Sequence, residues 1–101
     1  MTQQIIADLT NIEQRIIDGR VEYDFQNAIV EAETKLLAMG HLEGCLLLSK
    51  LSLIHMTELG MTDTNDPYIV GMVNKIPATR TQDFAPLLAK LVADVRNAAL
   101  D

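Results

Sequence analysis

Apolar residues crowd one stretch of the chain, Leu42 to Leu59, more densely than any other. Cys45, Leu46, Leu47, Leu48, Leu51, Leu53, Ile54, Met56 and Leu59 fall on most faces of a helical wheel. A helix that is apolar all round has to be surrounded by others. Glu43, Ser49, Lys50, Ser52, His55 and Glu58 interrupt the run. A membrane span, which wants about 18 or more nearly uncharged apolar residues, is therefore excluded. The pattern predicts a central helix over 42–59 with neighbouring helices wrapped around it.

Those neighbours follow from spacing. Ile5, Ile6, Leu9, Ile12, Ile16 and Ile17 recur at helical intervals over residues 3–18, and Gly19 is a stop signal. Phe25, Ala28, Ile29, Ala32, Leu36 and Met39 form the stripe of a second helix over 22–39, with Glu31 and Lys35 as an i,i+4 pair and Gly40 as its end. The link Gly40-His41 is short enough to imply a tight antiparallel turn. Gly44 costs a helix about 1 kcal/mol against alanine, so close approach by a neighbour is expected there. Thr57 is placed to cap a short turn over 58–61. Asp66-Pro67 opens a helix reaching about Lys75, which stops before Pro77. PATRTQ, 77–82, reads as a loop, and Asp83 as the N-cap of a last helix carrying Phe84, Leu87, Leu88, Leu91, Val92 and Val95. No strand candidate and no fixed repeat occurs. The expectation is an all-α, compact bundle of five or six helices, a single domain over 1–101.

Bulk properties narrow the function. With 101 residues and 49% hydrophobic content, the chain can bury a core without disulfides or metals. Its one cysteine, Cys45, lies in the most apolar stretch and reads as a buried free thiol in a reducing compartment. MTQQIIADL lacks the basic start of a secretory signal, which points to cytosol or nucleus. The net charge of −6 argues against nonspecific binding to nucleic acid. Residues 1–66 carry 11 acids and 4 bases, whereas residues 67–101 carry 3 acids and 4 bases, so an anionic partner should meet the C-terminal third.

Catalytic constellations are missing from the pattern. His41 and His55 lie 14 residues apart. His55 and Glu58 are one helical turn apart, but two ligands do not make a metal site. Asp63-Thr64-Asn65-Asp66 resembles the start of a calcium loop, yet Tyr68 stands where glycine is required and Asn74 where the closing carboxylate belongs. Cys45 has no cationic neighbour in sequence, no glycine-rich phosphate loop is present, and Tyr23, Phe25, Tyr68 and Phe84 are too scattered to stack bases. No enzyme, no cofactor and no metal is expected.

The run LLLSKLSLIHMT, then IVGMVNKI, then DFAPLLAKLVADVRNAAL resembles the N-terminal domain of transcription elongation factor TFIIS. That family also includes domains of elongin A, of a Mediator subunit and of LEDGF, where it binds integrase. The likeness is carried by Leu48, Leu51 and Ile54, by Met56-Thr57, by Val73-Asn74-Lys75, and by Ala89-Lys90-Leu91-Val92. Val95 stands where family members usually carry tryptophan, and Ile76-Pro77 replaces their basic pair. The resemblance implies a five-helix domain over 22–100 with residues 1–20 as an added helix. It also implies a nuclear, noncatalytic adaptor for short acidic–hydrophobic motifs of transcription factors. The implied groove sets Met39, His41 and Leu42 against Ile76, Ala78, Arg80 and Phe84, with Arg80 holding a carboxylate of the motif. Leu42 and Ile76 are expected to belong more to the core than to the groove. Two rival readings stand beside it. A homodimer could form through Ile5, Leu9, Ile12 and Ile16, or the acidic half could block a basic surface in the manner of an inhibitor or immunity protein.

Overall fold

In the computed structural model, residues 2–60, 71 and 75–100 are described, the last two without their side chains. Four α-helices account for most of them: α1, Thr2–Asp18; α2, Phe25–Ala38; α3, Leu42–Glu58; and α4, Phe84–Leu100. A single 3-10 turn, Thr81–Asp83, leads into α4. The radius of gyration is 12.8 Å, close to the ~13 Å of a packed domain of about 100 residues.

The all-α expectation holds for the described residues, but the five- or six-helix count does not. The expected break ahead of a short turn over 58–61, of which Met61 lies outside the described residues, does not occur. Thr57 does not cap such a turn; its hydroxyl donates back to the Leu53 carbonyl at 2.9 Å, an i−4 bond made inside a continuing helix. α3 thus runs unbroken to Glu58, with Leu59 as its C-cap. The expected helix from Pro67 lies outside the described residues, apart from Gly71, which is helical, and Lys75, which sits in a turn.

Each helix buries a stripe of the predicted kind. α1 contributes Ile5, Leu9, Ile12 and Ile16, and α2 contributes Phe25, Ile29, Ala32 and Leu36. From α4 come Phe84, Leu88, Leu91, Val92 and Val95. α1 packs most extensively against α4 and also against α2, while α2 carries α3. α1 and α2 thus each pack against two of the other described helices. The four buried residues of α1 face their own chain, so the stripe proposed for a dimer is already covered. α3 buries only Gly44, Cys45, Leu48, Leu51 and His55, which lie along one side. Leu46, Leu47, Leu53 and Ile54 remain half-buried, so the all-round apolar pattern overstated its enclosure.

Short-range chemistry fixes the connections. Gly40 takes φ +76°, a conformation costly for any residue with a Cβ, and its N–H and that of His41 close onto the carbonyls of Leu37 and Leu36. The His41 side chain then accepts from the Gly44 N–H at 3.0 Å and caps α3. Between α1 and α2, Arg15 reaches across the bend. It donates to the Arg20 carbonyl at 2.8 Å and to Asp24 at 2.9 Å, and its guanidinium lies 5.2 Å from the Phe25 ring centre. This clamp holds 22–24 outside the helix and moves the start of α2 from the expected 22 to Phe25. Lys35 pairs with Asp8 on α1 rather than with Glu31.

Gly44 shows the expected close approach. A Cβ there would stand 2.9 Å from His41 Nδ1, 3.0 Å from Leu91 Cδ1 and 3.2 Å from Leu36 Cδ1. Overpacking of this sort costs about 1–3 kcal/mol, more than the gain of up to about 1 kcal/mol in helix propensity. Gly44→Ala should therefore lower the urea midpoint, and a variant as stable as the parent would show that the three neighbours yield freely.

The polar groups of α3 are paired with other elements. Ser52 Oγ donates to Gln26 Oε1 at 2.7 Å, and Gln26 Nε2 lies 2.8 Å from His55 Nδ1. His55 Nε2 is 2.6 Å from the Val21 carbonyl. That carbonyl can only accept, and the Gln26 amide can only donate to Nδ1, so His55 carries its proton on Nε2. The ring is 1% exposed and meets the Phe25 ring edge-on at 4.9 Å. Replacing Gln26 with alanine leaves the buried Nδ1 without its donor. The expected cost is about 1–3 kcal/mol in equilibrium unfolding.

Candidate functional site

A cavity of about 500 Å³ opens between α3 and α4. Its α3 wall is His41, Glu43, Gly44, Leu46 and Leu47; its α4 wall is Leu87, Lys90, Leu91 and Asp94. Lys75 and Ile76 line it from the segment before α4. The lining is mainly apolar, and its volume is in the range of sites that hold small ligands or the side chains of a bound segment.

Local structure explains why the gap persists. α3 and α4 are not among the closely packed helix pairs; the structure brings them together where Leu91 meets Gly44. α3 is held instead by α2, through Ser49 donating to Glu33 at 2.7 Å and through the Gln26–Ser52–His55 network. Lys50 donates to the Ile76 carbonyl and fixes that residue beside the cavity. At the C-terminal end of α3, Glu58 accepts from the Thr81 N–H at 3.1 Å and the Thr81 hydroxyl at 2.8 Å. Thr81 is 3% exposed, so the 3-10 turn is anchored to both the core and α3.

Among the seven residues expected to line a groove, His41 and Ile76 meet in this cavity. Met39 is half-buried against the core. Leu42, expected inside, is 57% exposed at the first turn of α3. Ala78 and Phe84 are buried in the core and offer no surface. Arg80 is exposed and lines a separate recess of about 290 Å³ with Gly19, Glu58 and Gln82. The expected groove is thus divided, and Arg80 is not beside His41. His41 itself has a structural task as the cap of α3.

Sequence reasoning missed Leu46, Leu47, Leu87 and Leu91 as lining residues, and Glu43, Lys75, Lys90 and Asp94 as the charges around them. A signal existed. Leu46 and Leu47 are part of the surplus of apolar positions that made 42–59 look enclosed on most faces, and such a surplus also marks a helix bordering an open apolar space. The four charged residues are exposed, and none forms an ion pair with another described residue.

Cys45 lies on the buried side of α3; burial, and then the Glu33 carboxylate beside it, push its thiol above the ordinary value. No group of three metal-ligating side chains occurs among the described residues, and no described helix is long and apolar enough to cross a membrane. Comparison of the chain with protein-family models, curated proteins and solved structures finds no match.

Asp83 departs from its expected role. Its carboxylate does not cap α4 forward but folds back, accepting from the N–H groups of Thr79 at 2.9 Å and Arg80 at 3.0 Å. These backbone bonds hold its pKa below the ordinary carboxylate value of 3.8. A group so depressed contributes stability that is complete above the ordinary value and lost as the pH falls through the folded one. Asp83→Asn removes that contribution. The parent should therefore lose stability more steeply than the variant as the pH drops below about 4, measured by urea unfolding across the acid range.

Proposed function

We propose that the chain is a noncatalytic helical adaptor that grips a short segment of a protein partner in the α3–α4 cavity. The observation that carries this reading is the apolar floor of that cavity, Leu46, Leu47, Ile76, Leu87 and Leu91, left open between two helices that are each held by other elements. A shallow apolar seam with a charged rim suits one or two anchor side chains of a peptide. The resemblance to the TFIIS N-terminal domain supports the same class of function and suggests partners in transcription or chromatin. On this reading the carboxylate of an incoming motif meets Lys75 or Lys90, not Arg80, because only the two lysines border the cavity. The N-terminal stripe Ile5–Ile16 has no part in binding, since it is buried within its own chain.

The test is selection of peptides of about twelve residues from a displayed library against the intact chain, followed by titration of the selected peptides. Leu46→Asp puts a carboxylate on the apolar floor at a half-buried position and should weaken them about tenfold or more. Arg80→Glu should leave them unchanged. Selection of no peptide, or of peptides indifferent to Leu46→Asp, would remove the cavity as the docking site.

A further inference from the structure

α2 carries an apolar stripe that its own chain leaves open. Val30 is 52% exposed and Leu37 is 62% exposed. They stand seven residues apart, two helical turns or about 10.5 Å along the axis. Thr34 lies between them, and its hydroxyl is spent on the Val30 carbonyl at 2.9 Å, so it asks nothing polar of a partner. At the helical repeat, Leu37, Val30 and Thr34 span about 60° of the wheel, with Glu33 about 40° beyond Leu37 and Glu31 about 60° beyond Thr34. Glu33 accepts from Ser49 of α3, and Glu31 is exposed. The one cation of α2 is Lys35, and it is turned to Asp8 of α1. The stripe is therefore bordered by acids on both sides, with the helix's own lysine already paired.

We propose that this face of α2 docks a basic amphipathic helix of a partner protein, its apolar stripe lying on Val30, Thr34 and Leu37 and its lysines or arginines meeting Glu31 and Glu33. The surface is separate from the α3–α4 cavity and does not depend on the reading of that cavity. A helix fits better than an extended segment, because the backbone groups of α2 are bonded within the helix and offer an extended chain no ladder. A second copy of the chain is the wrong occupant. Two α2 faces in contact would set Glu31 and Glu33 of one copy against the same pair of the other, in chains that each carry a net charge of −6. Like charges so juxtaposed are penalised, whereas a partner of opposite sign is attracted.

Two synthetic helical peptides test this, with the same leucine stripe flanked in one by lysines and in the other by glutamates. The lysine peptide should bind the intact chain about tenfold or more tighter than the glutamate peptide at low salt, and the gap should shrink by about 0.5 M salt. Val30→Ser combined with Leu37→Ser should weaken the lysine peptide about tenfold or more, and Glu31→Lys about threefold. All three positions are exposed, so helicity should be retained. Leu46→Asp, in the cavity, should not weaken it. Equal binding of the two peptides, or indifference to the paired serine substitutions, would overturn the proposal. Loss of binding with Leu46→Asp would also overturn it, by seating the peptide in the cavity. A dimer in light scattering that the serine substitutions dissolve would overturn it by naming a second copy as the occupant. Absence of binding by the lysine peptide would overturn it and leave the cavity reading untouched.

Discussion

The placement of α1 between α2 and α4 is the constraint on which the rest of the structure depends. A helix with one apolar stripe can satisfy only neighbours that share that stripe, and Ile5, Leu9, Ile12 and Ile16 are all given to the shared core. α4 settles on α1, and α3 settles on α2. The two outer helices are then positioned by different supports rather than by each other. They meet where Gly44 lets Leu91 in, and a cavity lies beside that contact. The cavity is a by-product of which helix each of its walls leans on.

The leucine-rich helix could in principle roll about its own axis, since leucine faces exist on several sides. Its polar residues prevent this. Ser49 is tied to Glu33, Lys50 to the Ile76 carbonyl, Ser52 to Gln26, His55 to Gln26 and Val21, and Glu58 to Thr81. The partners come from α2, from the bend before it and from the segment ahead of α4. Any rotation of α3 would break several of these bonds together, and a buried group such as His55 pays heavily for a lost partner. The interruptions that exclude a membrane span thus set the orientation of the cavity wall.

Much of the fold was legible from periodicity. The positions of α1, α2, α3 and α4, the stops at Gly19 and Gly40 and the tight packing at Gly44 all follow from local rules. What periodicity could not show was how the helices are shared out. The apolar surplus of 42–59 suggested a central position, whereas among the described helices it is α1 and α2 that each pack against two others. Thr57 and Asp83 misled for one physical reason: a short polar side chain can bond backward as readily as forward, and in both cases it does. The site was half legible. His41 and Ile76, two of the residues expected at a groove, both line the α3–α4 opening. Phe84 and Ala78 are not, because their apolar surface is taken into the core, and Arg80 sits around the corner with Glu58.

Cys45 is the chain's one thiol, and it lies where α3 faces α2, beside Glu33 and largely shielded from solvent. With its pKa raised and little of it exposed, it should react with a disulfide reagent faster when the contact between those two helices loosens. The residue therefore serves as an internal gauge for that seam. A change in the rate at which the chain takes up such a label would report loosening between α3 and α2, with no dye or spin probe needing to be introduced.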